Sequence, residues 1–368
     1  MNEVSRKISF VREILRKNNL AAAHLRGVDW FSWITGGGSS VVILTSEIGI
    51  AEILITETEA FVLTNRIESA RLASEEVPKE FEVTSFDWQD ARSIEKFVNE
   101  KARGKALCSD RATANEKPLP VELLIYKMKM QPEELQRYRE VGQKAAEAMT
   151  EAILKAQPDW TENQLAGAGA EALWSRGLDP TLILVAGNKR GSQYRHPISK
   201  NESLGESAMM VFCARGFGLY ANLTRFIFFR DLVSQEKKSF EALSNIESRT
   251  FLKTKVGSSL SEVYTELSNA YSAEGFKNEI NLHHQGGPTG YLSRELVARP
   301  QVSGEAALAS DLKIESGMAF AWNPSLPGAK IEDTVLVQDS GLEILTQDHK
   351  WPTQVISGLK RPQVWIQK

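Results

Sequence analysis

Apolar and polar positions change period several times along the first 130 residues. Over residues 4–19, apolar side chains fall at Ile8, Val11, Ile14 and Leu15, the spacing of one helical face, which predicts a helix. Short β-rich runs follow at 41–44, 51–55 and 60–63, separated by polar or turn-forming residues. Helical segments at 66–76 and 93–101 alternate with such runs, so the first part of the chain reads as a small α/β domain. The run from Gly36 to Ser40 lacks both the spacing of a dinucleotide fingerprint and a following Gly-Lys-Ser/Thr, and is read as a turn.

The segment Lys117-Pro118-Leu119-Pro120 interrupts regular structure. A longer helical pattern then begins, with Pro132 in its first turn, Glu133 and Glu134 at the positive end of the dipole, and Ala145, Ala146, Met149 and Ile153 along one face. The boundary is placed near residue 128, giving domains 1–127 and 128–368. A capping box at Thr161–Gln164 opens another helix that runs to about Arg176 and stops at Gly177, and Ser259–Glu262 repeats that chemistry. Residues 234–252 also read as a helix. The runs TLILVAGN, AMMVFCARG and LYANLTRFIFF are β-like, and Asp339-Ser340-Gly341 is expected to turn a hairpin between DTVLVQ and LEILTQ.

Composition narrows the class of partner. With 44 Lys+Arg against 47 Asp+Glu among 368 residues, the net charge of −3 gives no reason to expect nucleic acid. No apolar run approaches the length that spans a bilayer, and the N-terminus mixes acids with bases, so a cytoplasmic protein without a membrane partner is expected. Two cysteines, Cys108 and Cys213, exclude a disulfide framework, and Cys213 on a β run reads as a small core residue.

Chemistry concentrates late in the chain. Three stretches, CARGFGLYANLTR (213–225), LHHQGGPTGYLSRE (282–295) and GMAFAWNPSLPGAKIEDTVLV (317–337), together with His196 in GSQYRHP, resemble the catalytic domain shared by Xaa-Pro aminopeptidases, prolidases, methionine aminopeptidases and creatinase, the pita-bread family. The resemblance covers most of the chain. It implies an α/β N-terminal domain followed by an α+β pita-bread domain, and a homodimer in which an arginine of the N-terminal domain, here Arg66 or Arg71, reaches the partner's site.

In that family two Asp, one His and two Glu hold two metal ions. Matched on Thr224-Arg225, Gly290, Pro324 and Asp333-Thr334, those positions here are Val211, Asn222, Gly287, Asn323 and Glu332. One carboxylate cannot offset two dications, and Val211 and Gly287 offer no side-chain ligand, so no dinuclear metal cofactor is expected. A single weak ion on Glu332 with the Asn222 or Asn323 carbonyl stays open.

The resemblance also matches His196 to a pocket His that is the catalytic acid/base in creatinase, His283 to a second pocket His, and Arg294 to the position of a third. His196, His283 and Glu332 are therefore the candidate catalytic residues, and Arg225, Arg294, His284, Asn222, Asn323 and Tyr291 the candidate substrate contacts. Alternatives stand beside several of these: Arg225 as the ion-pair partner of Asp333, Asn323 as a turn residue, and one of His283 and His284 as a core hydrogen-bonder. The first functional expectation is metal-independent C–N hydrolysis of a small molecule or short peptide. A non-catalytic dimer that binds a ligand or partner comes second, and Xaa-Pro aminopeptidase activity third.

Overall fold

The computed structural model describes residues 1–90, 92–301 and 308–367. They form two compact units, one of residues 1–134 with 217–219, the other of 135–216 with 220–368.

The first unit is built on a six-stranded sheet in the order Glu82–Phe86, Ala60–Asn65, Ile48–Thr56, Ala22–Gly27, Cys108–Ser109, Lys117–Pro118. Its first helix, Glu3–Lys17, buries Ile8, Val11, Ile14 and Leu15 as their spacing predicts, and the Asn2 side chain caps it by accepting from the Ser5 amide. The strand expected at 41–44 does not form, and Val42 and Ile43 are 58% and 65% exposed. The neighbouring strand gives the reason. Ala22–Gly27 ends at the pair Gly27–Ile48 and turns into the helix Val28–Thr35, so nothing remains for residues 41–44 to pair with. That helix is buried all round and carries no amphipathic period, which hid it from pattern reading.

The second unit contains two four-stranded sheets. One runs in the order Trp365–Ile366, Leu219–Phe228, Ser207–Gly216, Asp179–Gly187, and the other Gly286–Thr289, Ala319–Trp322, Asp333–Gln338, Gly341–Ile344. An isolated bridge between Thr224 and Glu332 joins them. The turn at Asp339–Ser340 closes the expected hairpin with Gln338 opposite Gly341.

Side-chain alternation in the first of these sheets decides what faces the site. Ala208, Met210, Phe212, Ala214, Ala221 and Leu223 pack with Met149, Ile153 and Leu165 of the helices that start at Pro132 and Glu162. Val211, Cys213, Asn222 and Thr224 are therefore turned to the opposite face. Helices Ser234–Lys253 and Leu260–Ala273 form a second core with Leu326 and Ile331, which fixes the segment leading into Glu332.

Candidate functional site

Two loops bring the three imidazoles together. His196 lies beyond the short helix Asn188–Gly191, and His283 and His284 follow the 3-10 turn Glu279–Leu282. Arg195 pairs with Glu279, which ties one loop to the other. Gln285 fixes the second loop by donating to the carbonyls of His283 (2.7 Å) and Ile280 (3.2 Å) while its own carbonyl oxygen accepts from the Tyr271 hydroxyl (2.9 Å). The His196 and His283 Nε2 atoms are 2.8 Å apart, and the His284 ring stacks on His283 at 4.6 Å between centroids.

His283 is buried, whereas His196 and His284 are exposed. All three are held neutral. Burial, then the charge of Lys330, lowers His283 to about 2, and burial with Arg294 lowers His284 to about 4. Burial and Lys330 also lower His196. A hydrogen bond between two neutral imidazoles has one donor and one acceptor, so each ring sets the other's tautomer.

Glu332 sits beside them, 2% exposed, with both oxygens engaged. Oε1 accepts from Arg294 Nη2 at 2.6 Å, Oε2 accepts from Thr224 Oγ1 at 2.9 Å, and Lys330 Nζ lies 3.9 Å from Oε2. Burial alone would raise this carboxyl, but Lys330 and Arg294 outweigh it and hold it below the usual range. Glu332 is thus a fixed carboxylate that holds two cations of its own chain, rather than a group free to exchange protons.

The residues do not fit a dinuclear metal centre. Val211 and Gly287 supply no ligand, and a side chain at Gly287 has no room, because a Cβ there would lie 2.5 Å from the Leu296 carbonyl oxygen. Asn222 is buried and donates through Nδ2 to Thr289 Oγ1 at 3.0 Å. Its Oδ1 and that of Asn323 are buried without a partner, and these neutral oxygens bring no charge to offset a dication. The one carboxylate is already neutralised by Arg294. The nitrogens of His196, His283 and His284 lie within 4.8 Å of one another, close enough to share one borderline ion. Lys330 and Arg294 disfavour a dication there as they disfavour protonation.

The other expected contacts have these surroundings. Arg225, one candidate substrate clamp, is 5% exposed and committed to Asp333 Oδ1 at 2.8 Å and the Thr346 carbonyl at 2.9 Å, the structural alternative for this residue. Tyr291 is 1% exposed, and its backbone N–H donates to Glu295. Arg66 pairs with Asp87 at 2.9 Å and Arg71 with Glu68 at 3.0 Å. Two residues near Glu332 were not anticipated. Lys330, two positions before Glu332, is 5% exposed, and Cys213 feels the charges of Glu332, Arg294 and Lys330, with burial pushing its thiol up to about 12. Strand alternation carried that signal for Cys213, since it shares parity with Val211.

This arrangement of two joined sheets, with a carboxylate on the bridge between them, coincides with a known family. The model of metallopeptidase family M24 matches residues 136–339, more than half of the chain, and the chain belongs to that family. Among curated proteins, none matches it in sequence at a significant level. Solved structures agree on the fold. The Xaa-Pro dipeptidase from Bacillus anthracis is 16% identical, with 99% of this chain and 100% of that chain covered and a TM-score of 0.77. The prolidase from Pyrococcus horikoshii OT3 is 17% identical, with 93% and 98% covered and a TM-score of 0.76. The N-terminal domain of the FACT complex subunit SPT16 from Cicer arietinum is 12% identical, with 94% and 95% covered and a TM-score of 0.70. The α/β N-terminal domain and pita-bread second domain are thus the architecture of the Xaa-Pro dipeptidase structures. Among the described residues, no helix is long and apolar enough to cross a membrane.

Proposed function

We propose that the protein is a metal-independent hydrolase acting on a C–N bond of a small molecule or short peptide, working as a homodimer. The observation that carries this reading is the salt bridge of Arg294 to Glu332 at 2.6 Å, which puts a guanidinium on the one carboxylate retained at the family's metal-ligand positions. In this mechanism His196 donates its Nε2–H to His283 Nε2 and keeps the lone pair of Nδ1 for water. Water loses a proton to His196 as its oxygen bonds to the carbon, the C–N bond breaks, and the same proton passes to the leaving nitrogen. Glu332 positions Arg294, whose N–H groups and positive charge suit a carboxylate or developing oxyanion on the substrate. His284 and Asn222 complete the polar lining.

The test is a panel of amides, ureas, amidines and dipeptides assayed with chelator-treated protein. Turnover that survives chelation and drops by about 10²–10⁴-fold in His196→Ala is expected. Stimulation by manganese or cobalt would overturn the metal-free reading. A second reading, a non-catalytic dimer that binds a ligand or partner, draws support from the likeness to a domain described as part of a complex subunit. It predicts a compound that raises the melting temperature and is recovered unchanged.

A further inference from the structure

Lys330 is nine-tenths buried and sits in a charge imbalance. Around Glu332 there are two cations, Arg294 and Lys330, and one carboxylate. Glu332 is already saturated by Arg294 at 2.6 Å and Thr224 at 2.9 Å, and Lys330 stands off at 3.9 Å. Among the described residues, the Lys330 ammonium has no hydrogen-bond acceptor. Burial pushes the Lys330 amine below its ordinary value, and an anion that reached it would favour the charged form and complete the set.

There is space for one. Lys330 and Thr224 line a cavity of about 290 Å³. One wall is apolar, with Phe226, Phe240, Ile331 and Val364, and Arg225, Ser244, Gln354 and Gln363 add polar groups. Phe226 and Phe240 meet edge to face at 5.1 Å between centroids, so this wall is a packed aromatic surface. Lys237 and Glu241 also line the cavity, and together they add no net charge. His196, His283 and His284 do not line it, so binding there does not depend on the imidazoles of the hydrolytic reading.

We infer that this cavity binds a monocarboxylate with an apolar body, its carboxylate ion-paired to Lys330 and its hydrocarbon against Phe226, Phe240 and Val364. Arg225 also lines the cavity but is committed to Asp333, so Lys330 alone is left for an anion, which favours a carboxylate over a phosphate dianion. The volume is about twice the ~150 Å³ that accommodates benzene, which suits a body of about eight carbons.

Calorimetric titration with octanoate, octanamide and octylamine tests this on the full chain. Octanoate is expected to bind saturably at one per chain, octanamide at least about tenfold more weakly, and octylamine not at all, as the loss of a charge-assisted contact requires. Lys330→Met should weaken octanoate by at least about tenfold. Ser244→Leu, which fills the cavity from the helix Ser234–Lys253 without touching the charges, should abolish binding while leaving the circular dichroism spectrum unchanged. If Lys330→Met fails to fold, the octanamide and Ser244→Leu arms decide. Equal binding of octanoate and octanamide, unchanged octanoate binding by either folded variant, or no octanoate binding would each overturn the proposal.

Discussion

Glu332 and Asp333 are consecutive residues with opposite environments. Asp333 is wholly buried in a closed network: Oδ1 takes Arg225 at 2.8 Å and Thr346 at 2.6 Å, Oδ2 takes Arg361 at 2.8 Å, and Arg361 also holds Glu247 at 2.5 Å and 2.6 Å. Two carboxylates meet two guanidiniums, and charge cancels. Burial works against the Arg361 charge, but Glu247 and Asp333 prevail and raise it. On the other side of the backbone, Glu332 meets two cations, and its charge is felt by His196 and His284; charge does not cancel. A balanced network holds the fold together. An unbalanced one beside exposed imidazoles does not, and the proposed chemistry around Glu332 rests on that difference.

The largest expected effect falls on the balanced side. Arg361→Met strands Glu247 and half of Asp333 in a dry interior and should cost about 3–5 kcal/mol, read as a shift in the urea midpoint at unchanged slope. Arg294→Met should cost no more than about 2 kcal/mol, because Glu332 keeps Lys330 and Thr224 and the local charge becomes balanced. If the two losses are equal, the contrast fails.

The imidazoles sharpen the comparison through pH. Unfolded imidazoles take protons near 6.5, whereas folded His284 resists to about 4 and folded His283 to about 2. Below about pH 6.5 the unfolded chain therefore binds more protons, and stability should fall as pH drops through 6.5 towards 4. His283→Gln should flatten that decline, as followed by the denaturation midpoint across the range. The smallest effect belongs to an exposed pair: Arg139→Ala, which removes the surface bridge to Glu343 at 2.7 Å, should change stability by about 0–1 kcal/mol.

Much of this was legible in the sequence because its signals are local. Capping boxes at Thr161 and Ser259, the amphipathic first helix and the hairpin at Asp339 each rest on residues within a few positions of one another. The residue types at Val211, Asn222 and Gly287, which the resemblance sets at metal-ligand positions, were also readable. The surroundings of Glu332 were not. The approach of Arg294 to Glu332 and the position of Lys330 depend on how a loop and two sheets meet, and neither residue announces its partner. Residue type leaves Arg225 open between Asp333 and a substrate, and burial commits it to Asp333. The buried helix Val28–Thr35 was missed because a segment covered on every side has no polar face to give a period.

The central claim is that Arg294 and Lys330 stand in for metal ions at Glu332. Titrating manganese, cobalt and zinc into chelator-treated protein, with Glu332→Gln and His283→Gln in parallel, tests it most directly. No saturable binding that depends on either residue is predicted for any of the three ions. Saturable binding abolished by Glu332→Gln or by His283→Gln would contradict the account.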